Sequence, residues 1–175
     1  MDALQVPFTS AALLLAIAGV QKLRDPHPLS RALRLAKLPN DTKAVRGLAS
    51  IEIATAICAV VIHHRLVPIV VAALYLSFAL FVTWALARGL PIESCGCFGR
   101  ADAKPSAAHV ALDAFAATIA ILVAFDDVEP VRALIADHPA EGIAVLAVSA
   151  ILASLATAWL RGSLTRHPNR SATIS

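Results

Sequence analysis

Apolar residues fall in five long blocks separated by short polar or basic stretches, with no sustained alternation of period two. A helix crosses the bilayer core with about 20 mostly apolar residues. The blocks run from about Ala3 to Val20, Gly47 to Ile62, Leu66 to Ala87, Ala107 to Phe125 and Gly142 to Leu160. The first and third carry no charge, the second carries Glu52, the fourth carries His109 and Asp113, and the fifth is rich in alanine and leucine. This pattern predicts an all-α polytopic membrane bundle. Spans one to four form its core, the fifth packs outside them, and residues 161–175 are a loose polar tail. The lack of alternation argues against an outer-membrane barrel.

Between Pro28 and Pro39 a shorter pattern stands out. Arg31, Arg34 and Lys37 recur every three residues while Leu29, Leu33 and Ala36 line another face. That spacing predicts a short helix lying on the bilayer surface with its basic stripe toward phosphates. The plainer alternative is a solvated basic linker.

Composition sharpens the class. Of 175 residues, 58% are hydrophobic and 15% charged, with a mean hydropathy of +0.74. An average soluble domain has about 25% charged residues. A disordered chain, a nucleic-acid-binding module and a disulfide-stapled secreted domain are all excluded. The net charge of +3 belongs to topology, because the basic residues sit almost entirely between apolar blocks. Counted over alternate segments, Lys and Arg number thirteen on one side and two on the other. The positive-inside rule then puts the N-terminus outside and the C-terminus in the cytoplasm, in a multi-pass protein of the inner (plasma) membrane. The first block is expected to be a retained span. It has Asp2 and no Lys or Arg before it, and no small-residue cleavage site in Gln21-Lys22-Leu23-Arg24-Asp25-Pro26.

The sharpest chemical feature is Glu93-Ser94-Cys95-Gly96-Cys97-Phe98-Gly99-Arg100, between spans three and four. Two cysteines one residue apart can close a very small, strained disulfide ring, and strain makes a disulfide more oxidising and exchangeable. Gly96 permits unusual backbone angles, and Arg100 and Lys104 nearby favour a thiolate. On the motif alone the pair reads as a redox centre, as half of a metal site, or as two incidental thiols. With only three cysteines in the chain, an all-cysteine zinc or iron–sulfur site fails on count, and no metal is expected. Cys58, inside span two, reads as a packing residue.

Ionisable residues within spans are costly and therefore candidate functional groups. Glu52 and Asp113 are two such carboxylates, and His109 stands one turn before Asp113 on the same helical face. Lys22, at the end of span one, could reach Glu52. Such a pair either locks helix orientation or handles protons. His63 and His64 at the far end of span two read as interfacial residues.

Three blocks carry a family resemblance: Gly19-Val20-Gln21-Lys22-Leu23-Arg24-Asp25-Pro26, then Glu52, then Ser94-Cys95-Gly96-Cys97-Phe98-Gly99. Their order resembles the MauE-type membrane proteins of methylamine utilisation, within the broader DoxX-like group, over roughly residues 8 to 125. The Cys-Gly-Cys-Phe-Gly block is the most specific part. The resemblance implies a redox-associated role, supporting disulfide formation or maturation of a periplasmic dehydrogenase alongside a thioredoxin-like partner. Under it, Cys95 and Cys97 are the exchanging pair, and Lys22 and Glu52 are polar residues of the bundle. The architecture also resembles, in outline, vitamin K epoxide reductase-like enzymes, which pass electrons to quinone; their Cys-x-x-Cys is absent here. A quinone acceptor is the one cofactor this suggests. The periplasmic role implies outward-facing cysteines, whereas the charge count places them at the cytoplasmic face, and the count is followed here.

Three functions compete. The first is a membrane thiol–disulfide protein working through Cys95 and Cys97, with Arg100, His109 and Asp113 as supporting residues. The second is a non-catalytic anchor or assembly subunit for a redox partner, docking through the basic helix and the tail. The third, a small transporter built on Glu52, His109 and Asp113, lacks any visible inverted repeat. No phosphate loop, dinucleotide fingerprint or Ser-His-Asp arrangement supports nucleotide or hydrolase chemistry.

Overall fold

With no water in the bilayer core, a spanning backbone must satisfy its polar groups internally, which favours helices. The computed structural model describes residues 3–92, 105–126 and 128–162, and among these all regular secondary structure is helical. In chain order the helices are α1 (Gln5–Arg24), α2 (His27–Leu35), α3 (Thr42–Val61), α4 (Leu66–Ala87), α5 (Ala107–Phe125), α6 (Val131–Asp137) and α7 (Pro139–Gly162). Of these, α1, α3, α4, α5 and α7 are long and apolar enough to cross a membrane.

The helices extend past the apolar blocks. Hydropathy places α1's end near Val20, yet the helix continues through Lys22 to Arg24, and α3 starts at Thr42 rather than near Gly47. Apolar content marks where the hydrocarbon lies, whereas capping marks where a helix stops. Asp41 starts α3 by accepting a hydrogen bond from the Lys43 backbone N–H at 3.1 Å. The helix α6 was not visible in the apolar pattern.

The most extensive pairings are α1 with α3 and α4 with α5. Their shared core holds Phe8, Ala11, Leu15, Ala56, Val71, Ala72, Tyr75, Ala116, Ala117 and Ala120. So many alanines let helix backbones approach closely, which is how apolar helices gain packing energy in lipid. The fifth span, α7, leans on α1 along one seam of Val145, Ser149, Ala153 and Thr157. There the Ser149 hydroxyl donates to the Val6 carbonyl at 3.2 Å.

Two helix ends shape the face where α1 and α4 finish. Lys37, at φ 56°, ends α2, with Leu38 N–H donating to Leu33 O and Lys37 N–H to Arg34 O. Gly89, at φ 60°, ends α4 in the same way, with Leu90 N–H donating to Ala85 O and Gly89 N–H to Leu86 O. Both turns send the chain back across the bundle end, where Ala32, Ala85 and Ile92 pack together. The short helix α2 is therefore docked on protein. Leu29, Ala32 and Ala36 are buried while Arg31, Arg34 and Lys37 stay exposed. The short helix was expected, and the bundle end covers its apolar face while the basic stripe expected to meet phosphates stays exposed.

Candidate functional site: a buried ion pair between four helices

Gly19 sets the geometry. A side-chain carbon at that position would lie 2.8 Å from the Ala49 carbonyl oxygen and 3.2 Å from Glu52 Cβ. Only glycine lets α1 and α3 cross this closely. Glu52 thus faces Gly19, and Lys22, one turn further along α1, reaches back to it because side chains tilt toward a helix's N-terminus. Lys22 Nζ lies 2.8 Å from Glu52 Oε1 and 2.9 Å from Oε2. Lys22 is 2% exposed and Glu52 0%. Burial on this scale makes the pair strong once formed and costly to break.

Helix α4 closes the pair from the side. The Phe78 ring centroid lies 5.0 Å from Lys22 Nζ, a cation–π contact in a water-poor setting. One turn earlier, Tyr75 packs edge-on against Phe78, with centroids 6.3 Å apart and rings at 81°. The Tyr75 hydroxyl donates to the Ala11 carbonyl at 2.6 Å, tying α4 to α1. Tyr75 also lies within electrostatic reach of both Glu52 and Asp113. Helix α5 supplies His109 and Asp113, both fully buried. His109 Nδ1 is 2.9 Å from the Ser106 hydroxyl at the head of α5.

The structure therefore joins Lys22 to Glu52 directly and buries His109 and Asp113 in the same four-helix interior. Tyr75 and Phe78 are additions that the sequence reading missed. A usable signal existed: Tyr75 is the only tyrosine in the chain, placed mid-way along its most apolar span, where a phenol needs an acceptor. Chemically, the ion pair fixes the register of α1 on α3. The carboxylates, phenol and imidazole are groups able to hold a proton between helices. Among the described residues, no group of three or more His, Cys, Asp or Glu side chains is arranged to hold a metal ion. Cys95, Cys97, Arg100 and Lys104 lie outside the described residues. Both flanks of that segment are placed: Ile92 packs against α2 and the end of α4, and Ser106 meets His109.

A helical bundle with five candidate spans and a buried ion pair between its first two long helices defines a multi-pass membrane protein. Residues 3–126 match the family model described as Methylamine utilisation protein MauE. The chain belongs to that family. No curated protein and no solved structure matches it. The match covers α1 to α5 and ends before α6 and α7.

Proposed function

We propose that this protein is a membrane thiol–disulfide redox component of methylamine utilisation, akin to the DoxX-like group, in which Cys95 and Cys97 are the exchanging pair. One observation carries the reading: the family match runs through the Cys-Gly-Cys block as well as through Lys22 and Glu52. In the exchange, a thiolate of a thioredoxin-like partner attacks the Cys95–Cys97 disulfide and forms a mixed disulfide. The partner's second thiolate displaces the bound cysteine, so the partner leaves oxidised and this chain holds the dithiol. Restoring the disulfide requires an acceptor for two electrons and two protons, and a membrane quinone would supply that chemistry. By the charge count the N-terminus lies outside the inner membrane and the cysteines at the cytoplasmic face.

A second reading, a non-catalytic anchor, is favoured by the exposed basic face of docked helix α2. The two separate cleanly in cells that depend on the protein for growth on methylamine. Cys95→Ser and Cys97→Ser are each expected to abolish growth while leaving protein in the membrane. Reversing Arg31, Arg34 and Lys37 to glutamate is expected to weaken growth far less. Full growth of both cysteine variants would refute the exchange, and a larger loss from charge reversal would favour the anchor.

A further inference from the structure

At the end of the bundle opposite the docked helix, a cleft of about 400 Å³ opens between the α3–α4 connection and the α5–α6 connection. Its size falls within the roughly 300–1,000 Å³ typical of small-ligand sites. The chemistry of its lining is divided. The α3–α4 connection contributes His64 and Arg65, the α5–α6 connection contributes Asp126 and Glu129, and apolar Val123 and Phe125 complete the lining. Arg65 is held in place, since its Nε donates to the Ala124 carbonyl at 2.8 Å. That leaves its terminal guanidinium nitrogens for an anion. His64 Nδ1 accepts from the Leu66 backbone N–H at 3.2 Å, which puts the ring proton on Nε2 as a further donor.

The α5–α6 wall is also fixed. Gln5 Nε2 donates to the Glu129 carbonyl at 3.0 Å, holding residues 128–131 against the head of α1. Residues 128–131 of this wall lie beyond residue 126, where the family match ends. The cleft is thus completed by a segment that the family model does not include. Its place at the ends of spanning helices puts it at the level of lipid headgroups, and Phe125, 76% exposed, borders it on the apolar side.

We propose that this cleft binds the headgroup of a phospholipid bearing a primary ammonium, such as phosphatidylethanolamine. The phosphate meets Arg65 and His64, the ammonium meets Asp126 and Glu129, and an acyl chain runs out past Phe125. A lining that carries both signs of charge suits a zwitterion better than a purely anionic headgroup. A primary ammonium donates hydrogen bonds to carboxylates that a choline group cannot. The site is independent of the cysteine chemistry, so it stands or falls separately.

Native mass spectrometry of the full chain tests it, in micelles containing equal amounts of phosphatidylethanolamine, phosphatidylcholine and phosphatidylglycerol. The wild type is expected to retain one phosphatidylethanolamine about tenfold over the other two, the scale of a charge-assisted hydrogen-bonded contact. Arg65→Ala is expected to reduce retention of all three. The Asp126→Asn, Glu129→Gln double variant, which leaves every backbone contact in place, is expected to abolish the preference for ethanolamine while still folding. Equal retention of the three lipids by the wild type would overturn the proposal. So would an unchanged preference in the double variant. Displacement of the lipid by equimolar soluble phosphoethanolamine would reassign the site to a free ligand and overturn the lipid assignment.

Discussion

Lys22→Met is expected to destabilise the bundle by about 3–5 kcal/mol, because it leaves the Glu52 carboxylate buried without its cation. Methionine keeps an unbranched apolar stem but removes the cation from both Glu52 and the Phe78 ring, so the loss reports charge rather than volume. Glu52→Gln alone is expected to be milder, since an amide oxygen still accepts from Lys22 Nζ. The Lys22→Met, Glu52→Gln double variant is expected to recover part of the single loss, with a coupling of about 0.5–3 kcal/mol. Unfolding in mixed detergent micelles measures all three. Strict additivity of the two single effects would show that the 2.8 Å contact contributes nothing as a pair.

Gly19→Leu is the second large effect. Even the Cβ of alanine would sit 2.8 Å from the Ala49 carbonyl oxygen, and a backbone atom on a packed helix cannot simply rotate away. Overpacking of this kind costs about 1–3 kcal/mol, and the larger leucine is expected at or above the top of that range. The displacement carries Glu52 away from Lys22, so the coupling measured in the cycle above should fall as well. Gly47→Ala provides the contrast on α3. Nothing lies within 4 Å of a Cβ placed there, and alanine favours the helix by about 0.5–1 kcal/mol. A Gly19 variant as stable as a Gly47 variant would remove the close crossing from the account.

The spans were legible because lipid imposes one simple code, length of apolar sequence, on every one of them. Lys22 meeting Glu52 was legible for a related reason: two charges at a depth where isolation is costly need each other. Tyr75 and Phe78 were harder to see, because an aromatic in a span is ordinary until its neighbours are known. Their role comes from α4 crossing beside α1, which no local pattern encodes. The docking of α2 was missed on similar grounds. A helix with one apolar stripe reads the same whether lipid or protein covers it, and only the turns at Lys37 and Gly89 decide between them. The cleft had no sequence signal, since its walls come from two connections and the head of α1, far apart in the chain.

The most direct test of the thiol–disulfide claim is alkylation of Cys95 and Cys97 by a membrane-impermeant maleimide, with Cys58 replaced by alanine. Cells are compared intact and lysed, before and after reduction, and after brief exposure to a thiol oxidant. The account predicts that oxidised protein labels at neither cysteine until it is reduced, and then only after lysis. Full labelling of both thiols without reduction, even after the oxidant, would contradict the exchanging pair. Labelling in intact reduced cells would instead place the cysteines outside and reverse the orientation.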